Sequence, residues 1–156
     1  MALDPTSREA NFKDSVKKFF IDNLHTTEQI HLSFDRSFNS PEASGSNKTT
    51  KWVAISFGQI NASKLTEAFV TIFCCTREDK EGYQLSRLRD TVYGYLTDGT
   101  QDDGCRRIVL YKSNETPWAA IGAMRVYIEM ESSVMVAEDE TKFKMITVKL
   151  IWGAKP

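Results

Sequence analysis

The sequence predicts an α+β fold in a single domain, a mostly antiparallel sheet of about six strands with two amphipathic helices. Three observations carry this. Two stretches place apolar residues at helical spacing, several others alternate at every second residue, and no repeat or composition shift divides the 156 residues. The domain therefore runs over 1–156, interrupted by a long polar loop at 39–50.

The first element is a helix from about residue 7 to 24. Phe12, Val16, Phe19, Phe20 and Leu24 recur at spacings of three and four, and Lys13, Asp14, Lys17, Lys18 and Asp22 take the other side. Pro5 marks the entry, and Thr6 with Glu9 has the form of a capping box. Gln29 to Phe38 then alternates Ile30, Leu32, Phe34 and Phe38 with polar residues, the period of a half-buried strand. Arg36 belongs near its solvent end, with stem packed and head wet.

Asn39 to Thr50, NSPEASGSNKTT, has almost no apolar area to offset the entropy of ordering and is expected to be a mobile loop. The strands flanking it are expected to form a hairpin. Lys51 to Ile60 and Leu65 to Thr76 read as two more strands around a turn at Asn61, Ala62 and Ser63. Apolar residues fall on both faces of the second, which predicts a central strand covered on both sides. A second helix follows, with Leu85, Leu88, Val92, Tyr95 and Leu96 on its inner face and Gly99 as its stop. Cys105 to Lys112, Ala123 to Glu131 and Lys142 to Trp152 complete the sheet, separated by the Pro117–Trp118 loop and the acidic turn Glu138, Asp139 and Glu140.

Charge and composition narrow the function. Twenty basic residues balance twenty-one acidic ones without a basic run, which argues against sequence-specific nucleic-acid binding and against an anionic membrane partner. The apolar runs are far shorter than the roughly 20 residues of a membrane span, and MALDPTSREA has no signal-peptide pattern. Cys74, Cys75 and Cys105 are an odd set with no Cys-x-x-Cys spacing, and they read as reduced thiols. His25 and His31 have no neighbours at ligand spacing.

The acidic pairs, Glu78–Asp79 and Asp102–Asp103, read as solvated turns. The Asp98–Gly104 segment lacks the terminal glutamate of a calcium loop, and no phosphate-cradling glycine motif occurs. No enzyme activity, no cofactor and no metal is expected. The candidate residues are instead those of a protein interface: Pro41, Glu42, Ser44, Gly45, Asn47 and Lys48 in the polar loop, and Trp118, an aromatic anchor after Pro117.

The succession of elements, carried by FKDSVKKFF, KWVAISF, LTEAFVTIFCC, YQLSRLRDTVYGYL and FKMITVKLIW, resembles the tail terminator (tail-completion) proteins of long-tailed bacteriophages. The resemblance covers nearly the whole chain and rests on pattern and length, so no binding residue is carried over from it. It implies a structural virion protein of the tail or neck, assembled in the host cytoplasm. Such a subunit forms a homo-hexameric ring that caps the tail tube, stops its growth and meets a head–tail connector or neck protein. Another neck or head-completion connector shares this logic, and a small ligand-binding or enzyme domain is the reading from a different class.

Overall fold

The computed structural model describes residues 9–35, 50–112, 118–137 and 140–153. Helix α1 (Glu9–Phe20) continues into a π-helical segment, Ile21–Thr27. Strands β1 (His31–Phe34), β2 (Lys51–Asn61) and β3 (Leu65–Thr76) precede helix α2 (Tyr83–Leu96). Strands β4 (Arg107–Lys112), β5 (Ala119–Glu131), β6 (Met135–Val136) and β7 (Lys142–Gly153) follow it. All seven strands form one sheet in the order β1-β2-β3-β7-β5-β4, with β6 on β7.

The wide turns after α1 have a reason in the sequence. Phe12, Val16, Phe20 and Leu24 repeat every four residues and are all buried, and such a stripe drifts around an α-helix of about 3.6 residues per turn. The i→i+5 turns of the π-helical segment unwind that drift and keep Leu24 over the core. Its carbonyl then accepts the Ile30 amide at 2.9 Å, which starts the chain towards β1.

Strand β3 is central, as its apolar alternation predicts. Ala68, Val70, Ile72 and Cys74 face α1 and α2 and pair with Leu150, Val148, Ile146 and Lys144 of β7. The opposite face departs from expectation. Trp52, Ala54 and Cys75 are buried at one corner, but Phe69, Thr71 and Phe73 are only half-buried, and both described helices lie on the other side. The apolar residues on that side therefore mark a half-exposed face.

The pairing of β1 with β2 is also not the expected hairpin. The two strands run parallel, Leu32 against Val53 and Phe34 against Ile55, so the sheet is mixed. A parallel pair requires the intervening chain to return to the starting end, which takes a dozen or more residues, and positions 35–50 supply that length. The first strand is shorter than predicted, and Arg36 and Phe38 lie outside the described residues, as do Pro5 and Thr6.

Helix α2 ends at Leu96, and Thr97, extended and bridged to Cys105, stops it ahead of Gly99. Its start corrects the reading of Asp79 as a solvated turn residue. That side chain is buried and accepts the amides of Leu85 at 2.8 Å and Gln84 at 3.2 Å, besides the Thr76 hydroxyl. Burial alone would raise its pKa, but these hydrogen bonds to the ionised form prevail and lower it. Asp79 is the cap of α2, satisfying amides that no helical carbonyl can reach.

Helix α1 closes the curled sheet. Phe12 stacks on Trp152 of β7 with centroids 5.4 Å apart and meets Phe57 of β2 edge-on at 5.7 Å. On its other flank, the buried Ser15 Oγ accepts the Tyr111 amide of edge strand β4 at 2.7 Å and donates to the Asn11 carbonyl at 2.7 Å. One helix thus joins β2 to the far edge of the sheet and satisfies an edge amide that no strand can pair.

Candidate protein-interaction surface

Trp118 lies just ahead of β5, 44% exposed. Its ring stands edge-on to Tyr111 at 5.7 Å, and Lys18 Nζ sits 5.8 Å from the Trp118 ring and 5.7 Å from that of Tyr111. The ammonium is held by Asp22 at 2.6 Å, a hydrogen bond that raises the Lys18 pKa. Beside these residues, Asp14, Lys17 and Ile21 complete a shallow groove of about 320 Å³ along α1. The lysine and the second ring hold the exposed indole in place, with its apolar area open to solvent. The other six candidates, Pro41, Glu42, Ser44, Gly45, Asn47 and Lys48, lie outside the described residues, so the structure does not bring them together with Trp118.

The half-exposed sheet face offers a second surface, missed from the sequence. Register places Arg107, Arg125, Ile151 and Glu67 in one row across β4, β5, β7 and β3. Two adjacent guanidinium groups repel each other, and Asp103 holds them together, 3.1 Å from Arg107 and 3.4 Å from Arg125. Arg125 also donates to the Tyr127 hydroxyl at 2.6 Å. Leu65, 57% exposed, lines a groove of about 340 Å³ with Arg107, Arg125, Tyr127 and Ile151. At the other end of the sheet, Met130, Val134 and Val136 are exposed at 59%, 48% and 61%.

The helical side is chemically quiet by comparison. Glu131 accepts both Nε and an Nη of Arg89, at 2.5 and 3.0 Å, and Lys144 at 3.1 Å. The Arg89 hydrogen bonds, ahead of the opposing burial, hold its carboxyl at about 2. Burial pushes the Cys74 thiol up to about 12 and Cys75 higher still, so neither forms a thiolate nucleophile near neutral pH. Cys74 and Cys75 point to opposite faces of β3, as alternation requires. Among the described residues no three His, Cys, Asp or Glu side chains cluster as metal ligands, and no helix is long and apolar enough to cross a membrane.

Fold and surface define a small α+β protein with helices on one side of a curled mixed sheet and the other side half-open. No family model matches the chain, and no curated protein does. Thirteen solved chains match it by shape. One of these, whose name states no function, aligns with a TM-score of 0.54 over 92% of this chain and 97% of its own at 6% identity. At that identity the likeness establishes the fold, and it shows that a chain of about this length adopts it.

Proposed function

We propose that this chain is a structural virion subunit of the tail-terminator type. Six copies form a ring on the end of a phage tail tube, stop its polymerisation and present a surface to a connector or neck protein. The observation that carries the reading is the half-open sheet face, in which Leu65, Phe69, Met130, Met145 and Ile151 lie beside Arg107, Arg125 and Lys149. Such a mixture of apolar and charged groups suits contact with another protein. A ring uses heterologous contacts that close by rotation, so two different surfaces on each subunit are needed. The Trp118 groove on α1 and the open sheet face lie on different sides of the domain.

The test is assembly. Purified protein, alone and mixed with polymerising tail tube subunits, is imaged by negative-stain electron microscopy. Six-fold rings, and tubes capped at one end that stop growing, are the expected result. A strict monomer that never joins a tube end at micromolar concentration would overturn the reading.

A further inference from the structure

The open side of the sheet is closed at one corner. Trp52, Ala54 and Cys75 share that side by register, are 1%, 1% and 0% exposed, and stand outside the helical-side core. Both described helices lie on the other side, so this corner over β2 and β3 has a cover that neither helix supplies. The parallel pairing of β1 with β2 says where it comes from. The chain must return from Asp35, level with Ser56, to Lys51, level with Ile30, and a crossover between parallel strands of one sheet is right-handed in about 98% of cases.

Handedness selects the face. The Asp35 amide donates to the Ile55 carbonyl at 2.7 Å, so by alternation Ser33 also turns its backbone groups towards β2. Ser33 partners Ala54, which puts its side chain on the open side. In a strand of L-residues running upward, a side chain aimed at the viewer goes with N–H and C=O pointing right. Seen from the open side, β2 therefore lies to the right of β1. A right-handed crossover moves right only where it passes in front of the sheet, over the open side. The helical side is already filled there by α1, whose Phe12 meets Phe57 edge-on and whose Lys17 Nζ sits 5.8 Å from the Phe34 ring.

We propose that segment 36–49, outside the described residues, docks across the open side of β2 and β3, and that Phe38, its one large apolar side chain, seats on Ala54 beside Trp52 and Phe73. Ala54 is small among large neighbours and has Phe73 as its register partner, which leaves room for a ring above it. The length agrees. Fourteen positions reach about 46 Å when extended, against a return of about 17 Å and a climb and descent of about 10 Å each for a packed layer. The docking is internal to one chain and independent of the ring reading. It puts Pro41, Glu42, Ser44, Gly45, Asn47 and Lys48 on the sheet side with Leu65 and Met130, away from the Trp118 groove on α1.

The seat is tested on the full chain with a thiol reagent, because Cys75 lies beneath the docked segment and Cys74, on the opposite face of β3, is an internal control. Phe38→Ala is expected to bring Cys75 to within about tenfold of the labelling rate of Cys105 and to leave Cys74 unlabelled, with the sites located by tandem mass spectrometry. Labelling of neither, or of both alike, overturns the seat. A nitroxide at Ala43→Cys, in a Cys105→Ser background, reads the face without removing any buried group. Amide signals of β3 should broaden and those of α1 be spared. Broadening of α1 ahead of β3, or of neither, overturns the docking. Tube capping enters neither readout and decides the function reading separately.

Discussion

Glu131 gives the most quantitative prediction. In Glu131→Gln the side chain keeps its shape but loses the charge that binds Arg89 and Lys144. The carboxyl titrates at about 2 in the folded chain against an ordinary 4.5. At about 1.36 kcal/mol per unit this sets a ceiling of about 3 kcal/mol. The side chains of Glu131 and Arg89 are 24% and 28% exposed, and water screening at that depth reduces the figure to about 1–2 kcal/mol.

Because the folded pKa is depressed, this stability is fully present above 4.5 and is lost as pH falls towards 2. Urea unfolding of wild type and variant between pH 2 and 7 is the assay. At neutral pH the variant's midpoint should fall by about 0.5–1 M, taking a slope of about 2 kcal/mol per molar, and the two midpoints should converge near pH 2. Asp79, Asp98 and Asp103, whose pKa values are also lowered, titrate in both proteins and cancel in the difference. A gap that is absent at pH 7, or one that persists undiminished at pH 2, refutes the ion-pair account.

Two further outcomes are expected. Ser15→Ala orphans the Tyr111 amide at a buried site, which costs about 1–3 kcal/mol. It should also speed hydrogen exchange at Tyr111, and unchanged exchange with unchanged stability would remove Ser15 as the tie between α1 and β4. A thiol reagent should label native protein at the half-buried Cys105 and reach the fully buried Cys74 and Cys75 only on unfolding; rapid native labelling of either would contradict their burial.

The local elements were legible because each carries its own period. Phe12, Val16, Phe20 and Leu24 announce α1, and Ala68, Val70, Ile72 and Cys74 announce β3. Relations between elements were not. Nothing in His31–Phe34 states whether it runs parallel to β2, since direction depends on where the intervening chain returns. Asp79 is indistinguishable in sequence from the turn acids around it, and becomes a cap only where the fold aims the amides of α2 at its carboxylate. Of the candidate surface, Trp118 was found from its place after Pro117. The Arg107–Arg125 groove was missed because strands far apart in sequence meet only through register.

The placement of both described helices on one side of the sheet separates stability from association. Phe12, Leu85, Leu88, Cys74, Ile146 and Trp152 pack between helices and strands in one continuous core, so truncations there leave cavities and lower stability by a few kcal/mol. On the other side, Leu65 and Met130 already face solvent in the single chain, so replacing them by polar residues removes little that folding needs. Their apolar area is costly to leave in water, and covering it contributes favourably only when another chain arrives. Substitutions on the helical side should therefore shift unfolding midpoints in proportion to buried volume, whereas substitutions on the open side should shift association at nearly constant midpoint.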